Sequence, residues 1–237
     1  LIHGVTGSGK TEVYMDIIEH VINEGRQVIM LIPEIALTFQ TVQRFYHRFA
    51  DKVSIINSRM SKGERYDQFL RALRGEVSIM IGPRSALFTQ FPDLGLIVID
   101  EEHEGAYISE QIPKYHAVET AIHIAKEHNA SVILGSATPS VSSYYRAQSG
   151  EFRLLSLDKR AGDSELPEVY IADMRKELRE GNRTIFSTRL QKLIKDRLDK
   201  KEQIMLFLNK RGTAGFISCR ACGYVMKCPH CDVSMTA

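Results

Sequence analysis

Eight consecutive residues, Gly4-Val5-Thr6-Gly7-Ser8-Gly9-Lys10-Thr11, limit this 237-residue chain more than any other feature of it. The spacing Gly-x-x-x-x-Gly-Lys-Thr is a phosphate cradle, in which glycines let backbone N–H groups close on an anion at a helix N-terminus. It implies a bound nucleoside triphosphate, with Gly4, Gly7, Ser8, Gly9, Lys10 and Thr11 forming its seat. Lys10 supplies a mobile positive charge to the β- and γ-phosphates, and the Thr11 hydroxyl fills one coordination position on Mg²⁺. The flanking residues agree. Leu1-Ile2-His3 reads as the end of a buried strand, while Val13, Tyr14, Ile17, Ile18, Val21 and Ile22 recur on one helical face.

Short apolar runs rich in Val and Ile follow at 28–32, 53–56, 77–81, 96–99 and 132–134, and helical periodicity occupies 36–49, 62–73 and 118–128. Strands of that texture suit a parallel sheet covered on both faces, and the β/α alternation predicts a doubly wound α/β fold. From about residue 151 the texture changes: 152–157 and 169–172 read as strands and 175–183 as a charged connector. Ser187 or Thr188 then caps a helix whose Leu190, Leu193, Ile194 and Leu198 face a core, followed by a strand at 204–208. The expected organisation is a nucleotide-binding lobe at 1–183, the start of a second α/β lobe at 184–218 and a cysteine module at 219–237.

No apolar run approaches the roughly 18 residues a membrane helix needs. Because Leu1 lies inside a strand pattern, the chain reads as an internal piece of a longer protein rather than a processed secreted one. The net charge of +2 hides an asymmetry, −3 over residues 1–150 and +5 over 151–237, and a basic second half is compatible with nucleic-acid contact. All four cysteines fall between 219 and 231, which points to metal in a reducing, cytoplasmic compartment.

The run Leu96-Ile97-Val98-Ile99 leads directly into Asp100-Glu101-Glu102-His103, placing carboxylates at the C-terminal edge of the sheet, where ligands of such folds bind. Asp100 is then a Mg²⁺ partner and Glu101 a base for the attacking water, with Lys10, Asp100 and Glu101 as the catalytic set. Gly135-Ser136-Ala137-Thr138-Pro139 brings small hydroxyls to the same edge, as an ordinary Ser/Thr turn also would.

Six segments in register carry a family resemblance. They are the cradle continuing into Glu12-Val13-Tyr14, then Ile32-Pro33-Glu34-Ile35-Ala36-Leu37-Thr38, Gly82-Pro83-Arg84-Ser85-Ala86-Leu87-Phe88, Asp100-Glu101-Glu102-His103, 135–140, and Phe207-Leu208-Asn209-Lys210-Arg211-Gly212. Together they closely resemble the primosomal protein N′ family, the superfamily 2 replication-restart DNA helicases of bacteria. The resemblance implies RecA-like motor lobes that hydrolyse ATP, with Mg²⁺, and move 3′ to 5′ along single-stranded DNA at forks. It implies forked DNA, primosome proteins and single-stranded DNA-binding protein as partners. By position it assigns His103, Ser136 and Thr138 to coupling nucleotide state to DNA. Pro33, Thr38, Arg84 and Ser85 fall on a DNA track, with Arg84 as phosphate partner, and 107–116 on an aromatic-rich DNA sensor.

The chain departs from that pattern at Asn57, Ile108-Ser109, Lys114 and Val118-Glu119. Lys in place of Arg forfeits a bidentate fork. The spacing Cys219-x-x-Cys222-x₅-Cys228-x-x-Cys231 forms two adjacent knuckles and predicts Zn²⁺ over a redox pair, with the number of ions left open. Two rival readings stand beside the helicase: another superfamily 2 translocase, and a zinc-dependent module that docks on DNA or primosome proteins without turnover. If the chain is a piece, its own ATP binding is expected to be weak and its turnover poor, because phosphoryl transfer also needs a second lobe's charges.

Overall fold

The computed structural model describes residues 1–34, 36–160, 167–207, 219, 222, 224 and 225. The chain divides into two compact units, Leu1–Glu165 and Leu166–Ala237.

In the first unit the elements run β1 (Ile2–Gly4), α1 (Lys10–Asn23), β2 (Gln27–Leu31), α2 (Phe39–Phe49), β3 (Val53–Ile55), α3 (Lys62–Leu73), β4 (Ile79–Gly82), β5 (Leu94–Asp100), α4 (Ala117–Glu127), β6 (Ser131–Ser136), α5 (Val141–Gln148) and β7 (Leu155–Leu157). The seven strands form one sheet in the order β3-β4-β2-β5-β6-β1-β7, and every pair is parallel. Parallel neighbours need a crossover between them, which the helices supply.

The apolar runs are continuous because both sheet faces are covered. Successive side chains on a strand point to opposite faces, so Val28 and Met30 join Tyr14, Ile18, Phe45 and Phe49 of α1 and α2 on one side. Ile29 and Leu31 join Val118, Ala121 and Ala125 of α4 on the other. Seven strands built this way with flanking helices make a RecA-like α/β unit. Helix α3 begins where the periodicity places it because Ser61 and Glu64 form a reciprocal capping box, each side chain accepting the other's backbone N–H. Helix α2 starts three residues later than the apolar pattern, at Phe39, because the Thr38 side chain accepts the Thr41 N–H and ends the preceding turn.

In the second unit, described by itself, α6 spans Met174–Arg179 and α7 spans Thr188–Asp199. Ser187 caps α7 as expected, through Leu190 N–H. The Glu177 carboxylate ties the helices together by accepting from Thr188 N–H and Oγ1 at 2.8 and 2.6 Å. Three sequence expectations need correction here. The connector at 175–183 contains most of a helix, capped by Asp173. No residue of α7 is buried, and Leu193 and Leu198 are exposed, so its apolar stripe does not meet a core among the described residues. Positions 169–172 and 204–207 are not strands, and Val169, Ile171 and Met205 are exposed. Strand preference is realised only on a sheet that offers neighbours, and the described residues of this unit include none.

Candidate functional site

Strand β1 ends at Gly4, and the chain turns through Gly7 (φ 80°) and Gly9 (φ 88°) into α1. That left-handed backbone is the reason for glycine at both positions, because an added Cβ would meet nothing within 4 Å. No side chain caps α1, so its first amides remain available to an anion. Lys10 is buried beside them, its Nζ donating to the Gly4 carbonyl at 2.8 Å. The Ser8 hydroxyl is buried and has no hydrogen-bond partner among the described residues.

The acidic segment reaches this loop through strand order. β6 lies between β1 and β5, with Ile2 and Asp100 both paired to Gly135 from opposite sides. The cradle and the acidic segment therefore emerge at the same sheet edge, two strands apart. A cavity of about 550 Å³ is lined by residues 6–12 of the loop together with Arg44, Asp100 and Glu101. An orphaned Ser8 hydroxyl, a buried ammonium with spare donors, an uncapped helix and two facing carboxylates fit a triphosphate carrying Mg²⁺. Lys10 and the loop amides would take the phosphates, and Thr11 and Asp100 the metal.

Two tyrosines hold Asp100. Tyr14, one turn beyond Lys10 and fully buried, donates from Oη to Asp100 Oδ1 at 3.2 Å, and Tyr107 Oη donates to the Asp100 carbonyl at 2.7 Å. Burial and then the Glu101 charge push the Asp100 carboxyl above its ordinary range, while the Tyr14 hydrogen bond and Lys10 pull the other way. Burial, then the Asp100 charge, likewise raises both tyrosine hydroxyls and keeps them protonated donors. Glu101 follows with φ 48°, a left-handed conformation that costs a residue other than glycine about 1–3 kcal/mol.

A carboxyl whose folded pKa lies above its unfolded one binds more protons when folded, so stability falls as pH rises from the unfolded value through the folded one. At neutral pH the ionised Asp100 thus destabilises the ligand-free protein. Asp100→Asn keeps an acceptor for Tyr14 and is expected to raise the Tm of the ligand-free chain by a few degrees, roughly 1 kcal/mol. Calorimetry at pH 7 checks this, and an unchanged or lowered Tm contradicts it.

His103 Nδ1 lies 2.7 Å from Ser136 Oγ and 3.7 Å from Glu101 Oε2, and its Nε2 lies 3.4 Å from Thr138 Oγ1. Ser136 Oγ also accepts the Thr138 N–H at 2.9 Å. The structure thus joins Glu101, His103, Ser136 and Thr138 in one chain of polar contacts from the cavity to the end of β6. Arg84 and Ser85 line a neighbouring cavity of about 510 Å³ with Pro33, Glu101, Tyr107 and Tyr115. Arg84 is turned toward its own protein: Nη1 donates to the Ala106 carbonyl at 3.0 Å and to that of Ile108, and the guanidinium lies over the Tyr115 ring. Thr38 caps α2.

Three participants have no role in the sequence reading. The Tyr14 hydroxyl was legible only as one helical turn past Lys10. Arg44 pairs with Glu12 at the cavity mouth, a contact between α1 and α2 that no local spacing reveals. Glu102 is buried and accepts from Ser140 N–H (2.7 Å), Ser140 Oγ (3.2 Å) and Ser143 Oγ (2.9 Å), fixing the start of α5 behind the Ser136–Thr138 turn. Glu102→Ala strands those donors and is expected to cost about 2 kcal/mol in urea unfolding; a loss below about 0.5 kcal/mol, the scale of ordinary surface substitutions, contradicts the role.

Of the expected zinc ligands, Cys219 and Cys222 are exposed, and the Cys219 N–H donates to the Tyr224 carbonyl at 2.7 Å. Cys228 and Cys231, and the segment 208–212, lie outside the described residues. Among the described residues no group of three or more His, Cys, Asp or Glu is placed to hold a metal ion, and no helix is long and apolar enough to cross a membrane.

Comparison with known proteins gives this geometry a setting. Over its whole length the chain is 52% identical to Replication restart protein PriA of Bacillus subtilis (strain 168). It is 47% identical to the protein of that name from Synechocystis sp.. It spans 29% of the length of each of these relatives. Among solved structures, the DUF1998 helicase MrfA matches 89% of this chain with 34% of its own, at a TM-score of 0.53 and 19% identity, a likeness of fold. The sequence model for DEAD/DEAH box helicases matches residues 1–147, the stretch that holds the cradle, the acidic segment and the Ser136–Thr138 turn. The chain belongs to the DEAD/DEAH box helicase family.

Proposed function

We propose that this chain is the nucleotide-binding lobe, with the start of a second lobe from about residue 184, of an ATP-dependent DNA helicase that moves 3′ to 5′ and acts in replication restart. The observation that supports this best is one cavity shared by the phosphate cradle and the Asp100–Glu101 pair, continuous through His103 with Ser136 and Thr138. The likeness to PriA over the whole chain supports the replication-restart setting, with forked and single-stranded DNA, primosome proteins and single-stranded DNA-binding protein as partners.

Lys10 leaves the Gly4 carbonyl to neutralise the transferring phosphoryl group, and the loop amides hold the phosphates in line. Asp100 and Thr11 would hold the metal, and Glu101 is placed to accept a proton from the attacking water. Magnesium, when bound, offsets the charge on the phosphate oxygens. His103 senses the state of Glu101 and passes it to Ser136 and Thr138. We assign Cys219, Cys222, Cys228 and Cys231 to Zn²⁺, which metal analysis of the purified protein tests.

Strand displacement from a forked duplex with a 3′ single-stranded arm, dependent on ATP, is the activity expected of the longer protein that carries this lobe, whereas the chain by itself is expected to turn ATP over poorly. Displacement that persists unchanged in Lys10→Ala, or without ATP, would overturn the motor reading in favour of a docking module.

A further inference from the structure

Tyr14 is a fully buried polar side chain that reaches from the phosphate-loop helix to the acidic segment. Its ring crosses beneath β6 at Gly135, the residue paired with Asp100 in the sheet. An alanine Cβ at 135 would fall 1.6 Å from Tyr14 Oη and 2.7 Å from Cζ, so the strand leaves a passage sized for this side chain. The hydroxyl emerges at Asp100 Oδ1, 3.2 Å away. Core packing alone would be served by phenylalanine. A tyrosine here places a donor on Asp100 Oδ1, and together with the Glu101 backbone N–H that also hydrogen-bonds the carboxylate it constrains how Asp100 faces the cavity.

We propose that Tyr14 is a positioning residue that holds the Asp100 carboxylate ready for the divalent cation of the bound nucleotide. The inference rests on the nucleotide reading above. Lys10 and Tyr14 sit one turn apart on α1, so the helix whose N-terminus seats the phosphates also sets the metal's protein ligand. Movement of the phosphate loop and orientation of Asp100 are then one event.

The test is a fluorescent ATP analogue bound to the full chain and titrated with Mg²⁺. Tyr14→Phe is expected to raise the Mg²⁺ midpoint about tenfold, the effect of about 1.4 kcal/mol, while binding of the analogue in EDTA stays within about twofold. In an Asp100→Asn background, Tyr14→Phe is expected to add nothing further, because its effect runs through the carboxylate. An unmoved midpoint, or equal losses with and without Mg²⁺, would overturn the positioning role while leaving the nucleotide reading intact. Absence of Mg²⁺-dependent binding in the unsubstituted chain would overturn the nucleotide reading, and this inference with it. Should Tyr14→Phe fail to fold, the unsubstituted chain labelled with 3-fluorotyrosine gives a second measurement. The Tyr14 fluorine resonance is expected to shift when Mg²⁺ is added to the analogue-bound chain, and no shift would overturn the proposal.

Discussion

Lys10→Ala is expected to weaken ATP binding at least about a hundredfold, close to 3 kcal/mol, and to reduce hydrolysis to background. The side chain is buried at the start of α1, and among the described residues its hydrogen-bond partner is the Gly4 carbonyl, one acceptor for three donors. The ammonium can therefore turn further donors toward a ligand in the cavity it lines. Removing the ammonium leaves the loop amides and the helix N-terminus, which attract an anion without neutralising a triphosphate. The fold is expected to survive, since alanine suits a first helical turn and relieves the burial of a charge. Equilibrium dialysis with ATP and a thermal melt separate the two effects. Retained affinity with an unchanged melt would remove Lys10 from the phosphate site.

The second large effect is structural and falls on a residue with no side chain. Gly135→Ala is expected to destabilise the protein by about 3 kcal/mol, at the upper end of what overpacking a core costs. The added methyl would overlap Tyr14 Oη at 1.6 Å, and neither partner can yield easily. Gly135 lies in a strand hydrogen-bonded on both sides, to β5 and β1, and Tyr14 is fully enclosed. Expelling Tyr14 also strands the Asp100 carboxylate without its donor. Adding Tyr14→Phe to the same chain is expected to recover only part of the loss, because Cζ still lies 2.7 Å from the new methyl. Urea unfolding of the single and double variants reads both numbers. A loss below about 1 kcal/mol for Gly135→Ala would mean that the β6 passage is far looser than described.

Much of the first unit was legible because its determinants are local. The cradle needs a left-handed residue directly before its helix, and Gly9, which supplies it, is one of the glycines that write the motif. Strands buried on both faces spell unbroken runs such as 28–31 and 96–99, and capping at Ser61 marks the start of α3. The site was legible as a list of residues and not as a set of contacts. That Asp100 faces the cradle follows from strand order, with β6 inserted between β1 and β5, and strand order is a long-range property. Tyr14 looked like one more core position, since a helical stripe shows where a side chain points and not what its hydroxyl meets. Arg84 illustrates the same gap: the resemblance assigns it to a phosphate by position, and its guanidinium is engaged with the carbonyls of 106 and 108. In the second unit the apolar runs at 169–172 and 204–207 misled because strand preference is realised only where a sheet offers neighbours.

A structure of the protein with a non-hydrolysable ATP analogue and Mg²⁺ tests the shared site most directly. The expected result is a triphosphate tail among the amides of residues 7–11, with Lys10 Nζ moved from the Gly4 carbonyl onto a phosphate oxygen. Mg²⁺ is then held by Thr11 Oγ1 at about 2.1 Å and by Asp100, directly or through one water. A nucleotide seated elsewhere, or a metal ion with neither Thr11 nor Asp100 in its surroundings, would contradict the site described for this chain.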